Sequence, residues 1–170
     1  MKSYNRDKAI GTEVIIPNKS FSEKIIFNLG GLEFHVLHLG PAHGPGDTQV
    51  WLPQLSLMIA GDMAFHERML PIFENTCTKC WLKTWDEKFA PLNATYVIPG
   101  HGHPTNMAQV TRFTKNYLLD LRAKVSEVLD NGGDLAEAFY VDQARWRSLD
   151  TFEELAKRNA GRVFEEMEFE

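Results

Sequence analysis

Cysteine is nearly absent: Cys77 and Cys80 are the only two in 170 residues, too few for a disulfide-built scaffold. Long hydrophobic runs are missing too. The longest apolar stretches, such as residues 55–60, fall far short of the roughly 20 residues that a bilayer-spanning helix needs. Positive charge is in deficit, with 18 Lys and Arg against 23 Asp and Glu and a net charge of −5. That balance leaves no basic field to hold nucleic acid or an anionic membrane surface. Residues 1–8 are polar and lack the apolar core of a signal peptide, so a cytoplasmic protein is expected. Repeats, low-complexity tracts and linker compositions are lacking as well, which leaves one domain over residues 1–170.

What is present is ordinary globular composition, 44% hydrophobic and 24% charged. Residues 13–16, 24–28 and 32–39 are short β-branched or alternating stretches, separated by Pro17-Asn18 and Leu29-Gly30-Gly31. Residues 49–52 and 55–60 form a hairpin pattern turning at Pro53-Gln54, and residues 96–99 complete the set as a buried strand. Between them, residues 75–89 carry Trp81, Trp85 and Phe89 at helical spacing. Beyond His101 the apolar period becomes helical, with Val110, Phe113, Tyr117, Leu121, Val125 and Val128 following a cap at Asn106. Asn131-Gly132-Gly133 should end that helix, and Asp134 with Glu137 and Thr151 with Glu154 should cap two more. Strands first and helices last, with one helix inserted, is an α/β (α+β) class with a mostly antiparallel or mixed sheet and helices on one face. Cys77-Thr78-Lys79-Cys80 reads as two thiols on a helix face, ahead of a redox pair or half a zinc knuckle.

Three side chains carry the chemistry. His43 lies in a Gly/Pro-rich loop after an apolar strand; Asp62 follows Leu57-Met58-Ile59-Ala60-Gly61; His101 stands between Gly100 and Gly102. Two imidazoles and a carboxylate at successive strand ends suit zinc or a similar ion, and a carboxylate ending a buried strand needs a cation as partner. Flanking glycines let backbone crowd the site. His66 lies four residues past Asp62, in a loop where substrate contacts are made. His38 and His35 read as core, edge or solvent-facing residues of their strand, and His103 as exposed or supporting.

These phrases are similar to those of a known family. Residues 12–170 resemble the C-terminal half of the metallo-β-lactamase superfamily through Leu39-Gly40-Pro41-Ala42-His43, Pro45-Gly46-Asp47, Val50-Trp51-Leu52-Pro53, Ile59-Ala60-Gly61-Asp62 and Val97-Ile98-Pro99-Gly100-His101-Gly102. The resemblance implies half of an αββα sandwich. It further implies that His43 binds one zinc, His101 the other, and Asp62 bridges them, with iron a possible occupant. Asp47 would organise its own loop. The implied chemistry is metal-dependent hydrolysis, a metal-bound hydroxide attacking an ester, thioester, lactone or amide of a small-molecule substrate, with no side chain as nucleophile. The phrases look closer to the thioesterase, lactonase and quinoprotein-associated branches than to the antibiotic hydrolases.

The family's His-x-His-x-Asp-His cluster, which supplies further ligands to both metals, has no counterpart in these 170 residues. Zinc is therefore expected to be weak or absent in this chain, which by itself would be inactive. A half-sandwich also bares an apolar sheet face, so pairing with the missing half or homodimer formation is expected. The alternative function is a non-catalytic half-domain serving as a dimeric structural or interaction module.

Overall fold

The computed structural model describes residues 6–170. Five strands form one sheet: β1 (Lys24–Leu29), β2 (Leu32–Leu37), β3 (Gln49–Leu52), β4 (Leu57–Phe65) and β5 (Tyr96–His101). Their spatial order equals their chain order; β1 to β4 are antiparallel neighbours, and β5 joins β4 in parallel. A parallel neighbour demands a crossover. It carries α1 (Thr78–Thr84), a π turn at Trp85–Phe89 and a 3-10 turn at Ala90–Leu92. After β5 come α2 (Met107–Val110), a π turn at Thr111–Lys115, α3 (Asn116–Asp130), α4 (Leu135–Ala138) and α5 (Phe152–Met167).

The register sorts the strands into two faces. Ile25, Val36, Val50, Ile59 and Ile98 are successive cross-strand partners, one apolar row across all five strands. Two residues along, on the same face, Phe27 stacks on Phe34 with centroids 5.3 Å apart, and Leu52, Leu57 and Tyr96 extend a second row. No helix among the described residues covers this face: Ile59 and Ile98 are 38% and 37% exposed. The opposite face carries the core. Met58, Ala60 and Val97 have no exposure and pack with Trp81, Phe89, Val110 and Leu121. The expected half-sandwich, a mixed sheet with helices on one face, is the fold found.

Several local expectations change. Residues 13–16 form no strand; Val14, Ile15 and Ile16 are exposed and pair with no neighbour among the described residues. β-branched residues favour a strand only where a partner offers a ladder. β4 and β5 are not buried on both faces but alternate, because one face lacks a cover. β4 also runs on to Phe65, so Asp62 lies within it rather than after it. Thr151 sits at φ 64° with its hydroxyl on the Asp150 carbonyl and caps nothing, whereas Asn106 and Asp134 accept from the backbone N–H of Gln109 and Glu137 as expected. Cys77 and Cys80 are not two thiols on a helix face: they form a disulfide, with Cys77 at the N-cap of α1 accepting from Cys80 N at 3.1 Å. With Cys77 extended at the cap and Cys80 three residues on, the two Cα atoms lie 5.2 Å apart, within the span that a disulfide bridges.

Candidate metal centre

The β4–β5 pair builds the centre by breaking its own ladder. Ile59 pairs with Ile98, but Gly61 pairs with Pro99 and Phe65 with His101, so β4 carries extra residues at two points. Bulges of this kind bend a strand and re-aim side chains. Gly61, at φ 53°, is the residue that permits the first. Asp62 then folds under the neighbouring strand, where Gly100 leaves the space. A Cβ there would lie 2.1 Å from Asp62 Oδ1 and 2.7 Å from the Gly61 backbone. Gly102, at φ 88°, passes so close that a Cβ would meet the His66 carbonyl at 1.9 Å.

His43 is delivered by the loop between β2 and β3. Thr84 donates to the Pro41 carbonyl at 2.8 Å, and Thr76 donates to the His43 carbonyl at 2.7 Å. Asp47 accepts from Gly44 N–H at 2.8 Å, the loop-organising role expected of it, and His38 Nδ1 meets the Asp47 carbonyl at 2.9 Å. The imidazole is wedged among Phe65, Phe73 and Trp81, with ring centroids 5.8, 5.1 and 5.8 Å away. Burial pushes its pKa below the ordinary histidine value, against the pull of Asp62 and Asp47. A neutral ring is the form that can donate a lone pair to a metal.

The three expected donors meet at one place. His43 Nε2 lies 3.9 Å from Asp62 Oδ2, and His101 Nε2 lies 3.6 Å from Asp62 Oδ1. One imidazole thus faces each carboxylate oxygen, the arrangement that a bridging acid requires. Donors sharing one tetrahedral zinc stand roughly 3.3 Å apart. Both separations are longer, and among the described residues no group of three or more His, Cys, Asp or Glu closes to a metal-holding cluster. The donor types and placement fit a metal; their spacing and number do not complete its shell. Asp62 is about one-third exposed at the open end of the sheet, not sealed in a core.

Other polar groups line this rim. The His66 N–H donates to the His101 carbonyl at 3.0 Å, its Nδ1 meets the His103 carbonyl at 3.0 Å, and its ring lies 5.3 Å from Phe113. His103 is exposed and pairs with Glu67 at 2.6 Å; this hydrogen bond raises the histidine pKa and lowers that of the carboxyl. His35 contacts Glu33 on β2. The sequence reading passed over Arg68, whose Nη1 lies 3.0 Å from His101 Nδ1. Its signal was a basic residue in the short polar step His66-Glu67-Arg68 between two apolar runs, Met63-Ala64-Phe65 and Met69-Leu70-Pro71-Ile72. Also unread were Thr114, whose buried hydroxyl bonds both the N–H and carbonyl of Phe65, and Asn159, which clamps Leu70 and Ile72.

Comparison with known proteins places this geometry. The family model described as the metallo-beta-lactamase superfamily matches residues 2–101. A metallo-beta-lactamase type 2 of Bacteroides fragilis is 26% identical over 114 residues, which are 64% of this chain and 46% of that protein. The chain thus spans about half the length of the curated relative it matches. Among solved structures, a metallo-beta-lactamase from Pontibacter korlensis superposes with a TM-score of 0.54 at 21% identity, covering 69% of this chain and 54% of that one. The stereoselective inverting sec-alkylsulfatase Pisa1 from Pseudomonas sp. gives a TM-score of 0.67 at 16% identity, covering 89% of this chain and 27% of that one. With a family match over more than half its length and a half-sandwich fold, the chain belongs to the metallo-beta-lactamase superfamily.

Proposed function

We propose that this chain is the C-terminal, metal-holding half of a metal-dependent hydrolase, with His43, Asp62 and His101 as its donors. The observation that carries the reading is the approach of one imidazole to each oxygen of Asp62, at 3.9 and 3.6 Å. Zinc suits two imidazoles and a carboxylate, and iron is the second candidate. Bound there, the metal would supply Lewis-acid activation for hydrolysis of an ester, thioester, lactone or amide. The chain's own residues prepare that chemistry. Burial keeps His43 neutral, Gly100 leaves Asp62 its place beside β5, and Phe65 supports the His101 ring with centroids 5.1 Å apart. His66, on the loop leaving β4, would meet the substrate at the rim.

Three donors divided between two ions leave each shell open, so further donors come from another polypeptide segment. The bare sheet face is where that segment would lie, with a second copy of this chain as the other occupant. No helix among the described residues is long and apolar enough to cross a membrane. The Cys77–Cys80 bond weighs towards an oxidising compartment rather than the cytoplasm.

The test is a zinc titration against a chromogenic chelator. The wild-type chain should bind weakly, and His43→Ala and Asp62→Asn should each lower the affinity at least about tenfold. Equal zinc affinity in all three proteins would end the reading. The second reading, a non-catalytic dimeric half-domain, is favoured by the two uncovered apolar rows. A stable dimer in light scattering whose metal-loaded form hydrolyses none of the four substrate classes would select it.

A further inference from the structure

Arg68 differs from the other half-buried arginines. Arg122 pairs with Glu166 and Glu170, and Arg162 with Glu74 and Glu165. Arg68 has no carboxylate within ion-pair distance among the described residues, and its buried Nε has no hydrogen-bond partner. Its one side-chain hydrogen bond goes from Nη1 to His101 Nδ1, at 3.0 Å. The segment that carries it is fixed. Its own N–H donates to the His66 carbonyl at 2.7 Å, Met69 N–H to the Asp150 carbonyl at 3.0 Å, and Asp150 N–H to the Glu67 carbonyl at 2.9 Å. Glu67 turns the chain at φ 62°, and Asn159 holds Leu70 and Ile72.

A guanidinium only donates, so this contact requires the lone pair of His101 on Nδ1. The proton of the neutral ring then sits on Nε2, the atom that faces Asp62 Oδ1. A ring in that state has no lone pair to give a metal from Nε2. The fixed charge of Arg68 opposes a second cation on the same ring. His43 has no such cation beside it: its buried Nδ1 makes no well-formed hydrogen bond, the Pro71 backbone acts on the ring only as an acceptor, and its Nε2 faces the other oxygen of Asp62.

We propose that Arg68 is a positioning residue that holds His101 in the tautomer unable to take a metal through Nε2, so that the centre fills from the His43 side first. The inference rests on the metal-holding reading and adds an order of filling, with Arg68 leaving His101 as the step that opens the second position.

A double-mutant cycle on the whole chain, with zinc as the probe, tests it. Arg68→Met should raise zinc affinity about tenfold, through both the freed lone pair and the lost charge. His101→Ala should hardly change zinc affinity with Arg68 present, and should cancel the gain when combined with Arg68→Met. If His101→Ala weakens zinc equally in both backgrounds, or Arg68→Met gains nothing, the proposal is overturned. Nitrogen-15 spectra of the metal-free protein near pH 8 give an independent readout. His101 Nδ1 should resonate as a bare acceptor in the wild type; a proton on Nδ1 overturns the proposal whatever zinc does. Arg68→Lys, which keeps a charged donor, covers a folding failure of the Met variant: it should retain the bare Nδ1, and a protonated Nδ1 there counts against the role. Absence of zinc binding in every protein would sink the metal reading alone, since the tautomer decides Arg68 without metal.

Discussion

Val97 and Ile98 are neighbours on β5, yet one has no exposure and the other is 37% exposed. Met58 and Ile59 on β4 repeat the contrast. The strands are equally apolar on both sides; what differs is the partner. On one side α1, α3 and α5 supply Trp81, Tyr117, Leu118, Leu121, Val163 and Phe164 to a closed core, while on the other no helix layer among the described residues covers the two rows, and of their members only Leu52 is buried. A sheet that is apolar on both faces belongs in a layered fold, and here only one of its two layers is present. The three candidate donors sit at the open rim of this sheet, and their spacing too leaves a shell incomplete among the described residues.

That contrast breaks most sharply by placing a charge on each face. Val97→Asp buries a carboxylate without a partner and should unfold the chain, costing more than about 4 kcal/mol. Ile98→Asp should cost under about 1 kcal/mol and improve solubility, read by urea denaturation. Equal losses would mean that the bare face is covered in solution, as a two-fold dimer would do. Next in size is Asn159→Leu. The buried amide bonds Leu70, Ile72 and Tyr117, and Tyr117 bonds Gln143, so the change strands several buried groups and should cost about 2–4 kcal/mol by the same assay. It should also loosen the segment bearing Arg68, whereas no substitution in the bare rows should do so. Gly100→Ala comes third: displacing Asp62 and the Gly61 backbone should cost about 1–3 kcal/mol and weaken zinc binding in the same chelator titration, while Gly132→Ala, far from any contact, leaves zinc binding unchanged.

Much of this was legible beforehand. Alternation within residues 24–28 and 32–39, the Asn106 and Asp134 caps and the helical spacing from Val110 to Val128 are local signals that found their elements, although β2 stops at Leu37 and a π turn at Thr111–Lys115 interrupts the helix. Of the three expected strand-end donors, only His101 closes its strand: β4 runs three residues past Asp62, and His43 lies in the loop six residues after β2. What failed depended on partners. Residues 13–16 have strand propensity but no ladder, and the burial of β4 and β5 was misjudged because a sequence does not say whether a second layer lies opposite. Thr151 looked like a cap by type, yet its left-handed backbone aims the hydroxyl elsewhere. The Cys77–Cys80 bond hinged on the helix starting at Cys77, and the Arg68 contact on two bulges in β4; neither the helix start nor a bulge is written in residue types alone.

The mildest contrast between the faces is in their response to acid. Burial alone would push the Asp120 carboxyl upward, but the Trp146 indole N–H at 2.6 Å, the Lys124 ammonium at 3.0 Å and the Arg145 charge outweigh it and hold it below the ordinary aspartate value. A folded-state value below the unfolded one means that the carboxylate form favours the fold. The contribution is fully present above the unfolded value of about 3.9 and is lost as pH falls through the folded one. Because Asp120 keeps about a fifth of its side chain in solvent and Lys124 is exposed to a similar degree, solvent screens the pair and its share should stay within about 1 kcal/mol. Asp120→Asn should therefore be slightly less stable than wild type at pH 7, and the two urea curves should converge as the pH drops through and below the ordinary aspartate range. The apolar rows of the bare face hold no carboxylate or imidazole, so Ile98→Ser should shift stability by the same amount at every pH. Parallel acid profiles for Asp120→Asn and wild type would show that this corner of the helix layer is held by packing alone, as the bare face would be once covered.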